Sequence, residues 1–292
     1  MIQYNPREWF SLIFRFHKSD TFRQMFWVLV LFSVCTAGVV YAELHFQQLH
    51  VFSNTTQIHS LLGFVISLLL VFRTNSAYDR WWEGRKQWGA LVNNARNAAI
   101  KLKASVPKEN EKSLQLFKML IPDYVFAMKE HLRDGVKLEE LDLGNYMDKS
   151  SLKNSTHIPN QIALKMYQEL NVLYKSKAIS GDQLITLDKE IKSLTDIIGA
   201  CERIKNTPIP YSYNIFLKKF IFVYTLTLPF GLAHDFHYWA IPISTFVLYV
   251  FGSLELLAEE IEDPFGRDEN DLPTDNLAKK IKENVVEVFY TN

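Results

Sequence analysis

Residues 67–89, SLLLVFRTNSAYDRWWEGRKQWG, hold the junction on which the fold turns. A run of leucine, valine and phenylalanine stops at Arg73, and Trp81, Trp82 and Trp88 then stand among arginines and carboxylates. Upstream, the apolar run reaches back to Ile58, about 15 residues, a length that also suits a buried helix of a soluble protein. Context favours a membrane span. Residues 26–42, FWVLVLFSVCTAGVVYA, carry no charge over about 17 residues, near the lower limit for crossing a hydrocarbon core roughly 30 Å thick. Trp27 and Tyr41 mark the ends of that run, as interfacial aromatics do. Between the two runs lies only the polar segment LHFQQLHVFSNTTQ (44–57).

Two further apolar runs sit near the C-terminus. Phe220 to Leu232 follows Lys218 and Lys219, and Trp239 to Ala258 is broken only by Glu255. A short turn, AHDFHY (233–238), joins them. Lysine and arginine stand before the first run, after the second and before the third, and the two short connections have none. Basic residues stay on the cytosolic side, so both termini and the polar middle are expected in the cytosol, with four crossings.

The chain as a whole is neutral, 32 Lys and Arg against 32 Asp and Glu, so no electrostatic field draws it to nucleic acid. Insertion comes from apolar length. Cys35 and Cys201 read as free thiols, because two cysteines in such different surroundings make no disulfide framework. The first residues, MIQYNPREWFSLIFRFHKSDTFRQ, carry too many basic residues for a secretory signal. Trp9, Phe10, Phe14 and Phe16 interleaved with Arg7, Arg15 and Lys18 suit an interfacial helix, or an amphipathic helix packed on the protein.

The middle, Asn75 to Asn214, reads as helix: Trp81–Lys103, Lys112–His131, Ile162–Lys175 and Asp182–Lys205 show apolar spacings of three and four. Gly135–Ser155 and NSTHIPNQ (154–161) read as loops, the second leading into a helix start. The expected organisation is an all-α chain with four transmembrane helices. Residues 1–74 hold the interfacial helix and spans 1 and 2, 75–214 the helical cytosolic region, 215–258 spans 3 and 4, and 259–292 an acidic turn and cytosolic tail.

Enzymatic signatures are missing, with no GxSxG, P-loop, HExxH or CxxC, and the reading is not an enzyme. His234, Asp235 and His237 in the outer turn lack a fourth metal ligand. On the second span, Leu61, Val65 and Leu69 follow one another at i, i+4 and i+8, with Ser60 and Ser67 beside them. Facing a symmetry axis, such a row makes a hydrophobic constriction that gates by dewetting, although any membrane helix of leucine and valine shows such rows. One pore-lining helix encloses nothing, so a pore requires a ring of copies. After the fourth run, AEEIEDPFGRDENDLPTD (258–275) sets many carboxylates against a single arginine, on a turn made by Pro264 and Gly266. Clustered oxygen ligands of this kind suit a hard cation, although the spacing is not that of an EF-hand.

The segments SLLLVFRTNSAYDRWWEGRKQWG and ELLAEEIEDPFGRDENDLPTD together resemble the prokaryotic branch of the bestrophin family. The order of spans, the helical middle and IPYSY (209–213) extend the likeness over essentially the whole chain. The resemblance implies a homopentameric ion channel in the bacterial inner membrane, conducting monovalent ions through one central pore. Anions, chloride above all, are carried by most of the family and cations by some prokaryotic relatives. No cofactor is required. Counting back from Arg73 matches Leu61, Val65 and Leu69 to the hydrophobic neck, and a shift of one residue gives Leu62, Ile66 and Leu70. Counting back from Pro210 reaches ISGDQL and brings Asp182 to the cytosolic exit, with Gln183 and Ile179 beside it. A ring of Asp182 or Gln183 favours cations, whereas Ile179 or Leu184 makes a second apolar ring. In animal members an acidic turn and an N-terminal carbonyl clasp calcium, and the matching residues here are Asp263, Asp268 and Asp271, with Glu260 one helical turn earlier. The stretch NTTQIHSLLG lacks the proline expected before the neck in animal members, which argues against an anion site on a broken helix there. The competing expectation is a non-conducting membrane scaffold.

Overall fold

The computed structural model describes residues 21–45, 56–144, 146–147 and 152–290, and the expected interfacial helix of the first residues lies outside them. Among the described residues all regular structure is helical: α1 (Thr21–His45), α2 (Thr56–Ser105), α3 (Glu111–His131), α4 (Ile158–Lys175), α5 (Gly181–Asn206), α6 (Tyr211–Phe236), α7 (Ala240–Glu262) and α8 (Thr274–Tyr290). Among the described residues three stretches are long and apolar enough to cross a membrane: Thr21–His45, Thr56–Ser105 and Tyr211–Glu262. The third contains α6 and α7, separated by the 3-10 turn His237–Trp239. Trp27, Val28, Leu31 and Val34 of α1 and Phe222, Val223 and Leu226 of α6 are bare on the protomer. A helix surrounded by water does not leave so much apolar area uncovered. The chain is an all-α integral membrane protein.

By contact the chain forms two compact units. The first comprises Met1–Trp81, Pro208–Pro264 and Asp268–Asp271. Here α1 packs on α6 and α7, and α6 on α7. The membrane part of α2 is held by a cluster in which Ile66 and Leu70 pack with Leu217, Ile221, Tyr224 and Leu228 of α6. Small residues allow the close approach. A methyl group on Gly63 would lie 2.7 Å from the Tyr224 hydroxyl, the use of glycine that membrane helix pairs make most often. Polar pairs tie the same helices, such as Ser33 Oγ to Thr245 Oγ1 at 3.0 Å and His59 Nε2 to Thr227 Oγ1 at 3.1 Å.

The second unit comprises Trp82–Thr207, Phe265–Arg267 and Leu272–Asn292. Its helices begin where the local chemistry says they should. His157 caps α4 by accepting the Asn160 N–H, and a proline stands in the first turn, where its missing N–H is no loss. Ser180 and Gln183 form a reciprocal capping box at the start of α5. Helix α3 packs against α4 and α8, and α4 against α5. The amphipathic α8 buries Ala278, Ile281, Val285 and Phe289. Arg133 binds it further, donating to Thr274 Oγ1 at 2.8 Å and Asp275 Oδ2 at 2.8 Å, and to the Phe265 carbonyl at 3.1 Å.

Candidate pore surface and acidic turn

A helix turns roughly 100° per residue, and the core cluster fixes which way α2 faces. Ile66 and Leu70 are buried against α6, and Arg73, on the same side, is 1% exposed. Leu62, Ile66 and Leu70, the shifted register, therefore belong to the protomer's own interior, with Leu62 partly buried against that cluster. Of the expected neck row, Leu61 and Val65 are exposed, at 65% and 37%. Leu69 instead turns partly into the core cluster, and its carbonyl accepts from the Tyr213 hydroxyl at 3.1 Å. The reason is geometric. A row at four-residue spacing drifts roughly 40° per step, so a row that starts on the open face at Leu61 reaches the border of the buried one at Leu69. The row Phe64, Leu68 and Phe72 stays exposed throughout, at 68%, 47% and 57%. Leu68, at its centre, stands roughly 160° from Ile66. The open apolar face of α2 is thus centred on Leu68, with Leu61, seven residues earlier, roughly 20° from it on the same line and Val65 at its edge.

At the lower end of this face the charge set of the junction is folded inward. Arg73 Nη2 donates to Glu262 Oε2 at 2.7 Å, and Arg73 Nε lies 3.6 Å from Glu255 Oε2. Glu262 also accepts the Ile209 N–H at 2.6 Å and, through its carbonyl, Arg80 Nε at 3.1 Å. These charges tie α2, α7 and the entry of α6 together, and the first arginine of the junction is held inside the protomer.

The exit candidates separate. Ile179 is buried in the protomer. Gln183 Oε1 accepts the Ser180 N–H at 2.8 Å in the capping box, so within the protomer Ile179 serves the core and Gln183 the helix start. Asp182 is exposed on the first turn of α5, and Ile185, one turn on, is exposed as well. The capping box was legible as Ser-x-x-Gln; the exposure of Ile185 had no signature.

In the acidic turn, Glu260 accepts from Gln24 Nε2 at 2.9 Å and from Asn270 Nδ2 at 2.7 Å, and Trp81 Nε1 donates to the Asn270 carbonyl at 3.0 Å. Asp271 is buried. Its Oδ2 accepts the Asp268 N–H at 2.6 Å, while its Oδ1 has no hydrogen-bond partner. Burial pushes the Asp271 carboxyl up to about 7, with the Asp268 and Asp263 charges adding to the rise. An orphaned buried oxygen among carboxylates suits a hard cation in donor chemistry. The four expected ligands nevertheless do not gather three oxygens within 4.8 Å of one another.

Comparison with known proteins agrees in length and topology. The family profile described as "Bacterial/Fungal Bestrophin protein" matches residues 1–287. A Salmonella typhi protein named as a voltage-dependent anion channel-forming protein is 32% identical over 285 residues, 97% of this chain and 92% of that one. A Nostoc protein of the same description is 37% identical over 226 residues, 76% of this chain and 73% of that one. The crystal structure of a bacterial bestrophin homologue from Klebsiella pneumoniae superposes with a TM-score of 0.84 at 26% identity, covering 92% of this chain and 99% of that chain.

Proposed function

We propose that this chain, which belongs to the bacterial and fungal bestrophin family, assembles as a ring of copies, five by the family resemblance, that passively conducts monovalent anions. The observation that carries the reading is the open apolar face of α2. One helix presents Phe64, Leu68 and Phe72 away from its own core, and a ring of such helices makes a continuous hydrophobic neck. Apolar rings of that kind admit or exclude water as a unit, which is how they gate. Leu61 continues this face two turns above Leu68, Val65 stands at its flank, and Leu69 lies off it.

The supporting topology is four crossings, α1, α2, α6 and α7, with both termini and the helical middle in the cytosol, and residence in an inner membrane. Named relatives form anion channels, and this chain is expected to do the same. Five Asp182 carboxylates at the exit would oppose anions. Ile185 is therefore the exit ring in this reading, and Asp182 stands off the ion path. Calcium is not needed for conduction; a cation at the turn would settle on Asp271 and its neighbours.

The test is recording from purified oligomers in planar bilayers under an asymmetric potassium chloride gradient, with calcium and with chelator. A reversal potential near that of chloride supports the reading. One near that of potassium that moves on Asp182→Asn assigns a cation filter instead. Silence from verified oligomers leaves a membrane scaffold. Leu68→Ala should raise open probability more than Val65→Ala, because Leu68 faces outward and Val65 stands at the flank.

A further inference from the structure

Away from the pore face and the acidic turn, one side-chain cluster in the second unit is unused by conduction. His131, the last residue of α3, His157, the cap of α4, and Glu202 on α5 converge. Both imidazole Nε2 atoms meet the same carboxylate oxygen, His131 at 2.7 Å and His157 at 2.8 Å from Glu202 Oε1. The two rings are tilted by 36° to one another with centroids 4.4 Å apart. Among the described residues this is the only place where three such ligand atoms fall within 4.8 Å of one another. All three side chains are partly exposed, about a quarter of each, so an ion reaches them without unfolding.

We propose that His131, His157 and Glu202 form a site for zinc or a similar borderline divalent cation, with water as the fourth ligand. Two imidazoles and one carboxylate are a donor set that zinc takes in tetrahedral geometry. Ligands about 2.1 Å from the metal stand about 3.4 Å apart, so the present contacts open by roughly 0.6 Å to admit it, within reach of side-chain rotation. Coordination through His157 Nε2 moves that ring's proton to Nδ1, which now accepts the Asn160 N–H at 3.2 Å. That amide is exposed and passes to water, so the helix start survives the change. The adjacent Cys201 thiol is fully buried and lies outside this group of ligand atoms, which leaves Glu202 as the carboxylate member of the set. Bound metal pins the ends of three helices and brackets the long connection between α3 and α4, a cross-link that the hydrogen bonds make only weakly.

The test uses the full-length protein in detergent, stripped with chelator and dialysed against zinc, with metal per chain measured after gel filtration. One zinc per chain is expected, with affinity at least tenfold weaker in His131→Ala and in Glu202→Gln. A rise of the melting midpoint with zinc is expected in the parent and not in either variant. Asp263→Asn and Asp271→Asn keep full zinc binding if the site is the one described, and lose it if the acidic turn is the true ligand, which overturns the proposal. Should the variants misfold, cobalt on the parent decides. Visible d–d bands of tetrahedral cobalt that vanish on adding zinc support the site, and their absence refutes it. The outcome is independent of whether the protein conducts.

Discussion

Replacing Arg73 with methionine keeps the length of the side chain and removes the cation that stands between Glu255 and Glu262. Arg73 is 1% exposed, Glu262 Oε2 lies 2.7 Å from its Nη2 and Glu255 Oε2 lies 3.6 Å from its Nε. Neither Glu255 oxygen has a hydrogen bond. Removing one partner of a buried pair leaves an uncompensated charge and costs about 3–5 kcal/mol. At about 2–4 °C per kcal/mol the melting midpoint falls by about 6–20 °C. The assay is gel filtration of heated, detergent-solubilised protein, scored as surviving oligomer. The neutral combination Arg73→Met, Glu255→Gln, Glu262→Gln is expected to recover most of the loss, because a well-filled neutral site does not need the pair. A single Arg73→Met variant that melts with the parent refutes the reasoning, as does a triple variant no better than the single.

Asp271 supplies a pH dependence. Its carboxyl sits at about 7 in the folded protein against about 3.9 in an unfolded chain. The folded form therefore keeps a proton that the unfolded chain has already lost, so the stabilisation is complete below about pH 4 and is lost as pH rises through 7. In chelator, Asp271→Asn should match the parent at pH 4 and exceed it at pH 8, by on the order of 4 kcal/mol at most. In the second unit, Arg133→Gln removes charge-assisted bonds to Asp275 and Thr274 and should loosen α8 by about 2–3 kcal/mol. Hydrogen exchange confined to α8 reads this out. Gly63→Val drives a branched side chain into the Tyr224 hydroxyl and should split α2 from α6, lowering oligomer yield, whereas Gly38→Val has open space around it and should be tolerated.

The existence and type of the helices were legible because apolar spacing carries them. Lys112–His131 was expected and Glu111–His131 is found, and Asp182–Lys205 stands beside Gly181–Asn206. The open face of α2 was not legible. Nearly every residue from Ile58 to Phe72 is apolar, so the helical wheel has no polar side to mark which face is covered, and only packing against α6 orients it. The His131, His157 and Glu202 cluster was hidden for another reason. Its members lie 45 and 71 residues from Glu202 along the chain, with no short motif to announce them, and His157 showed only as a helix-start residue. The Ser180–Gln183 capping box is readable as Ser-x-x-Gln, whereas a place for Gln183 at the exit comes only from the family resemblance, by counting back from Pro210.

Arg73 and its partner Glu262 are 189 residues apart in the chain, and this has a consequence for biogenesis. At about 5–20 residues per second a ribosome needs about 10–40 s to make that distance. During that interval α2 is already in reach of the membrane while its arginine has no mate. Arg73 must wait at the headgroup level, and the span cannot settle to its final depth until α7 arrives. Nascent chains halted before α7 should accordingly present a misplaced charge to quality-control proteases, and the last span decides whether the second one is kept.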